Sequence, residues 1–268
     1  MKQAIKPDLH KSLTSNNGLN DAFYSKKFYE EQFKGSFRSA KIVLPIVLKF
    51  LPEINSAVDF GCGTGIWLSV LKNLGVNEIK GYDGSWAEKK LVIPSECYTD
   101  VEFDKETIKV EKKYDLAMSL EVAEHLPKQN AKMFVETITN ASDIVLFSAA
   151  IPFQGGTHHI NEQWQSYWYD IFYEYGYIGT NFLRKKILKE KKVAIWYRQN
   201  IVLYVKKEKL GAISISEECF NNKQIDFMFS ENCLNIMGKF NVSLLSLCKS
   251  AVKRTIKKIL RLAKKQRS

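Results

Sequence analysis

The sequence predicts an α/β fold with a Rossmann-like, doubly wound, seven-stranded sheet, mostly parallel with an antiparallel last strand. Short apolar runs alternate with segments of helical periodicity, which is typical of a parallel sheet with helices on both faces. A glycine-rich turn follows the first of these runs directly. The last two apolar runs have no full helix between them, which predicts an antiparallel hairpin at the edge of the sheet.

Each predicted element rests on the spacing of its apolar residues. Helices are predicted at 66–74 and 131–140, and two further helices precede the sheet, at 21–33 and 39–50. The predicted strands are 56–60, 78–82, 97–101, 114–119, 143–148, 177–186 and 194–206.

A chain of 268 residues is long enough for one large core with small additions at its ends. We predict an N-terminal helical segment (1–35), a central α/β domain (36–209) and a C-terminal extension (210–268). No run approaches the roughly 20 apolar residues that span a bilayer, and the N-terminus lacks the apolar core of a secretory signal. The five cysteines are scattered without a C-x-x-C pair, which favours a reducing cytoplasm.

The basic character of the chain is concentrated near its C-terminus. Lys249–Arg267 holds nine basic residues and no acidic ones, and without this segment the formal charge of +11 falls to +2. Apolar residues from 243 to 263 recur mostly every three or four positions, which predicts a basic amphipathic helix able to lie on an anionic membrane. Packing on its own domain or on a partner is the alternative. Nucleic acid is less favoured, because the segment lacks interleaved aromatic residues.

The strongest motif is the turn after the first strand, where Asp59 precedes Gly61, Cys62, Gly63 and Gly65. Glycines allow a ligand close to the backbone, and the following helix N-terminus offers unpaired N–H groups. Such a turn alone suits NAD, FAD or S-adenosylmethionine. However, the third glycine comes one place too early for a dinucleotide fingerprint. The carboxylate of Asp59 suits a ligand with an ammonium group and would repel a pyrophosphate.

A second acidic residue, Asp83, ends the next predicted strand. An acidic residue about 20 positions beyond a glycine turn is placed to accept hydrogen bonds from both ribose hydroxyls of a nucleoside. Acidic residues are common where strands end, so Asp83 alone is a weak signal. Its combination with the glycine turn makes the prediction of a nucleoside ligand more specific.

Across about residues 36–206, the chain resembles the class I S-adenosylmethionine-dependent methyltransferases. The resemblance implies S-adenosylmethionine as cofactor. Asp59 and the three glycines match the first motif of that family, with Cys62 between them, and Asp83 matches the acid that holds the ribose. Asp100 matches the position near the adenine amino group, although Asp104 lies close by. Residues 119–127 resemble the fourth-strand motif, in which Leu120 and Glu121 face the methionine part of the cofactor.

The segment 151–164 resembles the G-G-x-x-H-x-N-E-Q-W pattern of bacterial methyltransferases associated with surface-polysaccharide biosynthesis, and His159 falls on its histidine. A sugar hydroxyl needs a base, and histidine, with a pKa of about 6.5, suits that role. His159 is the first candidate, followed by His158 and His125. No metal site is expected, because the adjacent His158 and His159 rarely point at one ion, even with Glu162 nearby.

Together these features predict methyl transfer to an oxygen of a carbohydrate-type or small-molecule acceptor, at the inner face of a bacterial membrane. Three other functions stay open. The basic tail would suit an RNA methyltransferase, the cofactor fold would suit a non-catalytic binding module, and the glycine turn would suit a nicotinamide oxidoreductase. The oligomeric state is not predicted.

Overall fold

The computed structural model describes residues 26–105, 108–220, 225–230 and 233. Its strands are β1 (Ser56–Phe60), β2 (Glu78–Asp83), β3 (Tyr98–Asp100), β4 (Leu116–Leu120), β5 (Ile144–Ser148), β6 (Tyr177–Thr180) and β7 (Val202–Lys206). They form one sheet in the order β3-β2-β1-β4-β5-β7-β6. Strands β1 to β5 pair in parallel, and β7 is antiparallel to both β5 and β6. The predicted fold class is confirmed.

Helices cover both faces of the sheet. They are α1 (Lys26–Leu48), α2 (Ile66–Asn73), α3 (Ala131–Ala141), α4 (Gln165–Glu174), α5 (Phe182–Ile187) and α6 (Ile195–Asn200). Successive strand residues alternate between the two faces. In β5, Leu146 joins the apolar core formed with α1, α2, α5 and α6, whereas Val145 and Phe147 join the core formed with α3 and α4. This alternation gives the doubly wound architecture.

The two predicted N-terminal helices form one helix within the described residues, so the prediction of a break between them was wrong. The residues between the two predicted segments are also helical. Ser39 Oγ donates to Gly35 O one turn earlier at 2.7 Å, and it accepts from the Ala194 N–H at 3.0 Å, which ties the helix to the segment before α6. Residues 21–25 lie outside the described part of the chain. Helix α1 also runs across the predicted domain boundary at residue 35.

The last two predicted strands were too long and their connection was wrong. Each prediction combined a strand with a helix, namely β6 with α5 and α6 with β7, so two helices join a pair that was expected to form a hairpin. The error has a visible cause. Leu183 and Ile187 are both buried and four residues apart, as are Val193 and Tyr197. This spacing is helical, but within a short apolar run a buried helix cannot be distinguished from a buried strand. The antiparallel pairing itself is confirmed.

The chain divides into two units, one ending at Asp226 and the other beginning at Phe227. In the described part of the second unit, the rings of Phe227 and Phe229 lie 5.1 Å apart. The predicted amphipathic helix at 243–263 lies outside the described residues, and the boundary at residue 209 stays a prediction. Among the described helices, none combines the length and apolar character needed to cross a bilayer.

The parallel strands β1 to β5 all end at the same edge of the sheet, and this edge carries the motifs. Asp83 lies beside Asp100 in the β2–β3 register, and Leu120 lies beside Ser148 in the β4–β5 register. Ligands of open α/β sheets bind outside the carboxyl ends of the strands, where the strand order reverses. Here the reversal falls between β1 and β4, next to the glycine turn.

Candidate functional site

The glycine turn is held in a conformation that requires glycine. Gly61, Gly63 and Gly65 have φ angles of 82°, 55° and 83°, a region that L-residues with side chains rarely adopt. The N–H of Gly61 donates to Tyr82 O at 2.7 Å, which anchors the turn to β2. A Cβ on Gly61 would lie 2.2 Å from a methyl group of Val122. The turn after β1 is therefore packed directly against the loop after β4.

Asp59 is buried within β1, 2% exposed, and its Oδ1 atom has no hydrogen-bond partner among the described residues. Burial, together with the charge of Asp83, raises the pKa of Asp59 to about 7. A buried carboxylate is costly unless a cation or donor pairs with it. The orphaned oxygen next to the glycine turn is consistent with a ligand that brings a positive charge.

Asp83 connects the two motifs. Its Oδ2 accepts from the Gly63 N–H and its Oδ1 from the Gly84 N–H, each at 2.7 Å. Burial raises the pKa of Asp83, while these bonds and one from Trp86 act in the opposite direction. A carboxylate offers about four acceptor positions, so acceptor capacity remains for a ligand.

The other predicted cofactor residues differ in what they present. Cys62 is buried in the core, and a Cβ on Gly81 would lie only 2.6 Å from its Sγ atom. Burial raises the pKa of its thiol. The Cys62 side chain therefore packs in the core, and its backbone forms part of the turn. Leu120 is also a core residue, 8% exposed. Asp100 is exposed beside Asp83 at the sheet edge.

Glu121 has a φ of 59°, which is unusual for a residue with a side chain. Its carboxylate accepts two bonds from Asn200 Nδ2, at 3.0 and 3.1 Å, and one from Gln154 Nε2 at 3.2 Å. Burial raises the pKa of Glu121, and bonds from these amides and Ser148 offset part of the effect. A strained residue held by neighbouring side chains is a frequent feature of functional sites.

The loop between β5 and α4 is organised by Glu162. One carboxylate oxygen accepts from the Phe153 N–H at 2.8 Å, and the other accepts from the Gly155 N–H at 2.6 Å. Nδ1 of His159 lies 2.9 Å from the same oxygen that Gly155 contacts. Since the carboxylate of Glu162 can only accept, Nδ1 is the donor, and a neutral ring with this tautomer has its lone pair on Nε2.

His125 and Glu124 lie beside this loop. The His125 and His159 rings are perpendicular at 4.9 Å, and Nδ1 of His125 faces the carbonyl of His158 at 3.3 Å. The Glu124 carbonyl accepts from the Ile160 N–H at 2.9 Å, which ties the loop to the β4 segment. The Glu124 side chain is fully buried, and neither carboxylate oxygen has a hydrogen-bond partner among the described residues.

The structure thus brings His159 and His125 together and leaves the His158 side chain exposed. Ligand atoms of Glu124, His125 and His159 lie within 4.8 Å of one another, although no metal site was expected. Asn200 and Gln154 were missed as site residues. Gln154 lies within the segment 151–164 but was not singled out there. Asn200 had no sequence signal, because it ends α6, in a stretch predicted to be strand, and reaches Glu121 only through the tertiary fold.

The residues at the turn suit a cationic nucleoside. Asp59 offers a buried oxygen without a partner among the described residues, and Asp83 offers acceptors at the end of β2. Sheet order and turn together define the class I methyltransferase fold. A profile of the family described as "Methyltransferase domain" matches residues 34–190, more than half of the chain. The chain therefore belongs to this family, whose cofactor is S-adenosylmethionine.

Solved structures with a similar fold include the following three at low identity. DesVI from Streptomyces venezuelae is 18% identical with a TM-score of 0.40, and the match covers 48% of this chain and 58% of that one. Human N-acetylserotonin methyltransferase with SAM is 14% identical with a TM-score of 0.45, and the match covers 67% of this chain and 54% of that one. A SAM-dependent methyltransferase from Archaeoglobus fulgidus is 16% identical with a TM-score of 0.48, and the match covers 68% of this chain and 100% of that one. The chain thus spans less than two thirds of the length of the first two of these proteins. No curated protein matches it significantly.

Proposed function

We propose that this protein transfers the methyl group of S-adenosylmethionine to an oxygen atom of a carbohydrate-type acceptor. The observation that carries this proposal is the pairing of His159 with Glu162 on the rim that holds the cofactor motifs. An imidazole fixed by a carboxylate, with its second nitrogen unprotonated, is the arrangement of a general base. A hydroxyl group needs such a base to become nucleophilic.

On the cofactor side, each residue has a proposed task. Asp59 forms an ion pair with the ammonium group of the cofactor. Asp83 accepts hydrogen bonds from the ribose hydroxyls, and Asp100 lies towards the adenine. The backbone from Gly61 to Gly65 allows close approach, and Leu120 and Glu121 border the methionine part. The bound cofactor supplies a methyl group on a sulfonium, which already has a good leaving group. The protein therefore contributes mainly positioning.

On the acceptor side, His159 takes the hydroxyl proton. Glu162 fixes its ring and compensates the positive charge that forms. His158 and His125 are secondary candidates. His158 is exposed, and burial together with the charge of His159 lowers the pKa of His125, which disfavours its protonated form. Phe153 and Ile160, 60% and 64% exposed, flank His159 and offer apolar surface to an acceptor.

The proposed acceptor is an oligosaccharide or precursor of a bacterial surface polysaccharide, in the cytoplasm at the inner membrane face. Support for the membrane location comes from the nine basic residues of Lys249–Arg267, each worth about 1 kcal/mol near an anionic surface. Deletion of residues 249–268 is expected to abolish co-sedimentation with anionic vesicles. Equal co-sedimentation of the deleted chain would contradict this part of the proposal.

The test of methyl transfer uses the full chain with methyl-labelled S-adenosylmethionine and fractionated bacterial glycans. Label is expected in a glycan fraction, and it should be resistant to mild alkali, as an ether is. His159→Gln should abolish the transfer while His158→Asn retains it. Labelled RNA with unlabelled glycans would select the RNA alternative. Binding of the cofactor without transfer to any fraction would select a non-catalytic module.

A further inference from the structure

The loop after β4 and the loop after β5 converge on three side chains with metal-ligating atoms. Glu124, His125 and His159 place these atoms within 4.8 Å of one another. The two histidines come from segments 34 residues apart in the sequence, and the Glu124 carbonyl, bonded to the Ile160 N–H at 2.9 Å, holds the segments together. The cluster is therefore a product of the tertiary fold.

No hydrogen bond within the described residues accounts for the burial of the Glu124 carboxylate. The residue is 0% exposed, and neither Oε1 nor Oε2 has a hydrogen-bond partner in the described part of the chain. Buried carboxylates are normally paired with a cation or bound to a metal.

Both histidines are oriented as metal ligands usually are. A ligating imidazole typically donates its other N–H to a carboxylate or a backbone carbonyl. Nδ1 of His159 lies 2.9 Å from Oε1 of Glu162, and Nδ1 of His125 lies 3.3 Å from the carbonyl of His158. Each ring therefore has Nε2 left with its lone pair.

We propose that Glu124, His125 and His159 bind one divalent transition-metal ion, with Glu162 and the His158 carbonyl as supporting acceptors. Two imidazoles and one carboxylate suit Mn²⁺, Fe²⁺, Co²⁺ or Zn²⁺ better than Mg²⁺ or Ca²⁺, and leave coordination positions open. Bonds of about 2.1 Å bring tetrahedral ligand atoms to about 3.4 Å from one another. Side-chain rotations that shorten the largest separation, 4.8 Å, by roughly 1.4 Å are sufficient, and the exposed His125 provides access.

The site would give His159 a second role. With an ion bound, its Nε2 would be a ligand, and the role of His159 as a general base would apply only to the metal-free protein. An ion at this site would supply Lewis-acid chemistry: it would lower the pKa of a coordinated hydroxyl group of the acceptor, whose proton would pass to solvent water. The cation site depends on the geometry of the cluster and not on methyl transfer, so the two proposals can fail separately.

The test measures metal binding by the full chain in the absence of cofactor and acceptor. Protein treated with chelator and then freed of it is titrated with Mn²⁺, and free Mn²⁺ is counted by electron paramagnetic resonance. Mn²⁺ is used because it prefers oxygen and nitrogen ligands, so the cysteines compete little. We expect one bound equivalent. Co²⁺ should give an absorption spectrum without a thiolate charge-transfer band.

Matched variants distinguish the cluster from other sites. Glu124→Gln, His125→Gln and His159→Gln should each weaken Mn²⁺ binding at least tenfold, and Glu162→Gln should weaken it about tenfold through its support of His159. Glu96→Gln should bind as the unchanged chain does, because it changes an exposed acid just before β3 that is not part of the cluster. His125 lies at the surface, so its variant keeps the test valid if Glu124→Gln does not fold.

Two results would overturn the proposal: no bound Mn²⁺ or Co²⁺ at millimolar metal, or unchanged affinity in His125→Gln. Cofactor binding is measured separately by calorimetry on the same protein. Failure of S-adenosylmethionine to bind would remove the proposed function and leave the cation site intact. Metal binding without any effect of chelator on methyl transfer would assign the ion to the stability of the two loops.

Discussion

The backbone N–H of Gly63 donates a 2.7 Å hydrogen bond to Oδ2 of Asp83, and this bond joins the turn after β1 to the end of β2. Asp83 therefore has two tasks. The structure shows that it holds the turn, and we propose that it also offers its remaining acceptor positions to the ribose of the cofactor.

Asp83→Ala is expected to weaken S-adenosylmethionine binding at least tenfold, because bonds to a charged acceptor are worth about 1.5–3 kcal/mol each. Isothermal calorimetry measures the change. The matched control is Glu96→Ala, which removes an exposed acid just before β3. Equal affinity of the Asp83 variant and the control would refute the assignment.

Gly61→Ala is expected to destabilise the fold by about 1–3 kcal/mol, because the new Cβ would meet Val122 at 2.2 Å in a backbone region unfavourable to alanine. The free energy of unfolding in urea measures the loss. Val122→Ala in the same chain should recover part of it, since the closest methyl group is removed. Strictly additive effects of the two changes would show that the packing of Val122 on Gly61 is not the cause.

Cofactor binding is expected to weaken as the pH falls through 7. The pKa of Asp59 in the free protein is about 7, and only its ionised form pairs with an ammonium group. The affinity should be about tenfold lower at pH 6 than at pH 8, following the ionised fraction. Calorimetry at several pH values measures this. Asp59→Asn should bind weakly throughout with a shallower pH profile, and an identical profile for both chains would exclude Asp59 as the titrating group.

Glu162→Gln is expected to reduce kcat about tenfold or more without changing the affinity for S-adenosylmethionine. Glutamine keeps one acceptor oxygen but loses the charge that holds His159 and the N–H groups of Phe153 and Gly155. Steady-state methyl transfer gives kcat, and calorimetry gives the affinity. His158→Asn serves as the control on the same loop. Normal turnover in Glu162→Gln would exclude the pair as the proton acceptor.

Much of the fold followed from local pattern. Short apolar runs and the glycine turn were sufficient to place β1 to β5. Strands β1, β4 and β5 are buried on both faces, and their apolar runs are nearly continuous. The elements after β5 were harder to predict. Buried helices and buried strands look alike in short apolar runs, so α5 and α6 were merged with the strands beside them.

The site divides in the same way. Asp59, Asp83 and the glycines are recognisable because each must follow a particular strand, and the spacing along the chain reflects that requirement. The side chains that support Glu121 come from the loop after β5 and from the end of α6. No spacing rule relates these segments, so their convergence could not be predicted.

The amino-acid sequence by itself determined the class of fold, the position of the cofactor turn and the histidine-bearing loop. Only the tertiary structure decided that His125 and not His158 joins His159, and that the buried carboxylate of Glu124 lies between the loops after β4 and β5. The physical reason is that periodicity and turn chemistry act over a few residues. The distance between two loops depends on strand order and on hydrogen bonds such as that from the Ile160 N–H to the Glu124 carbonyl.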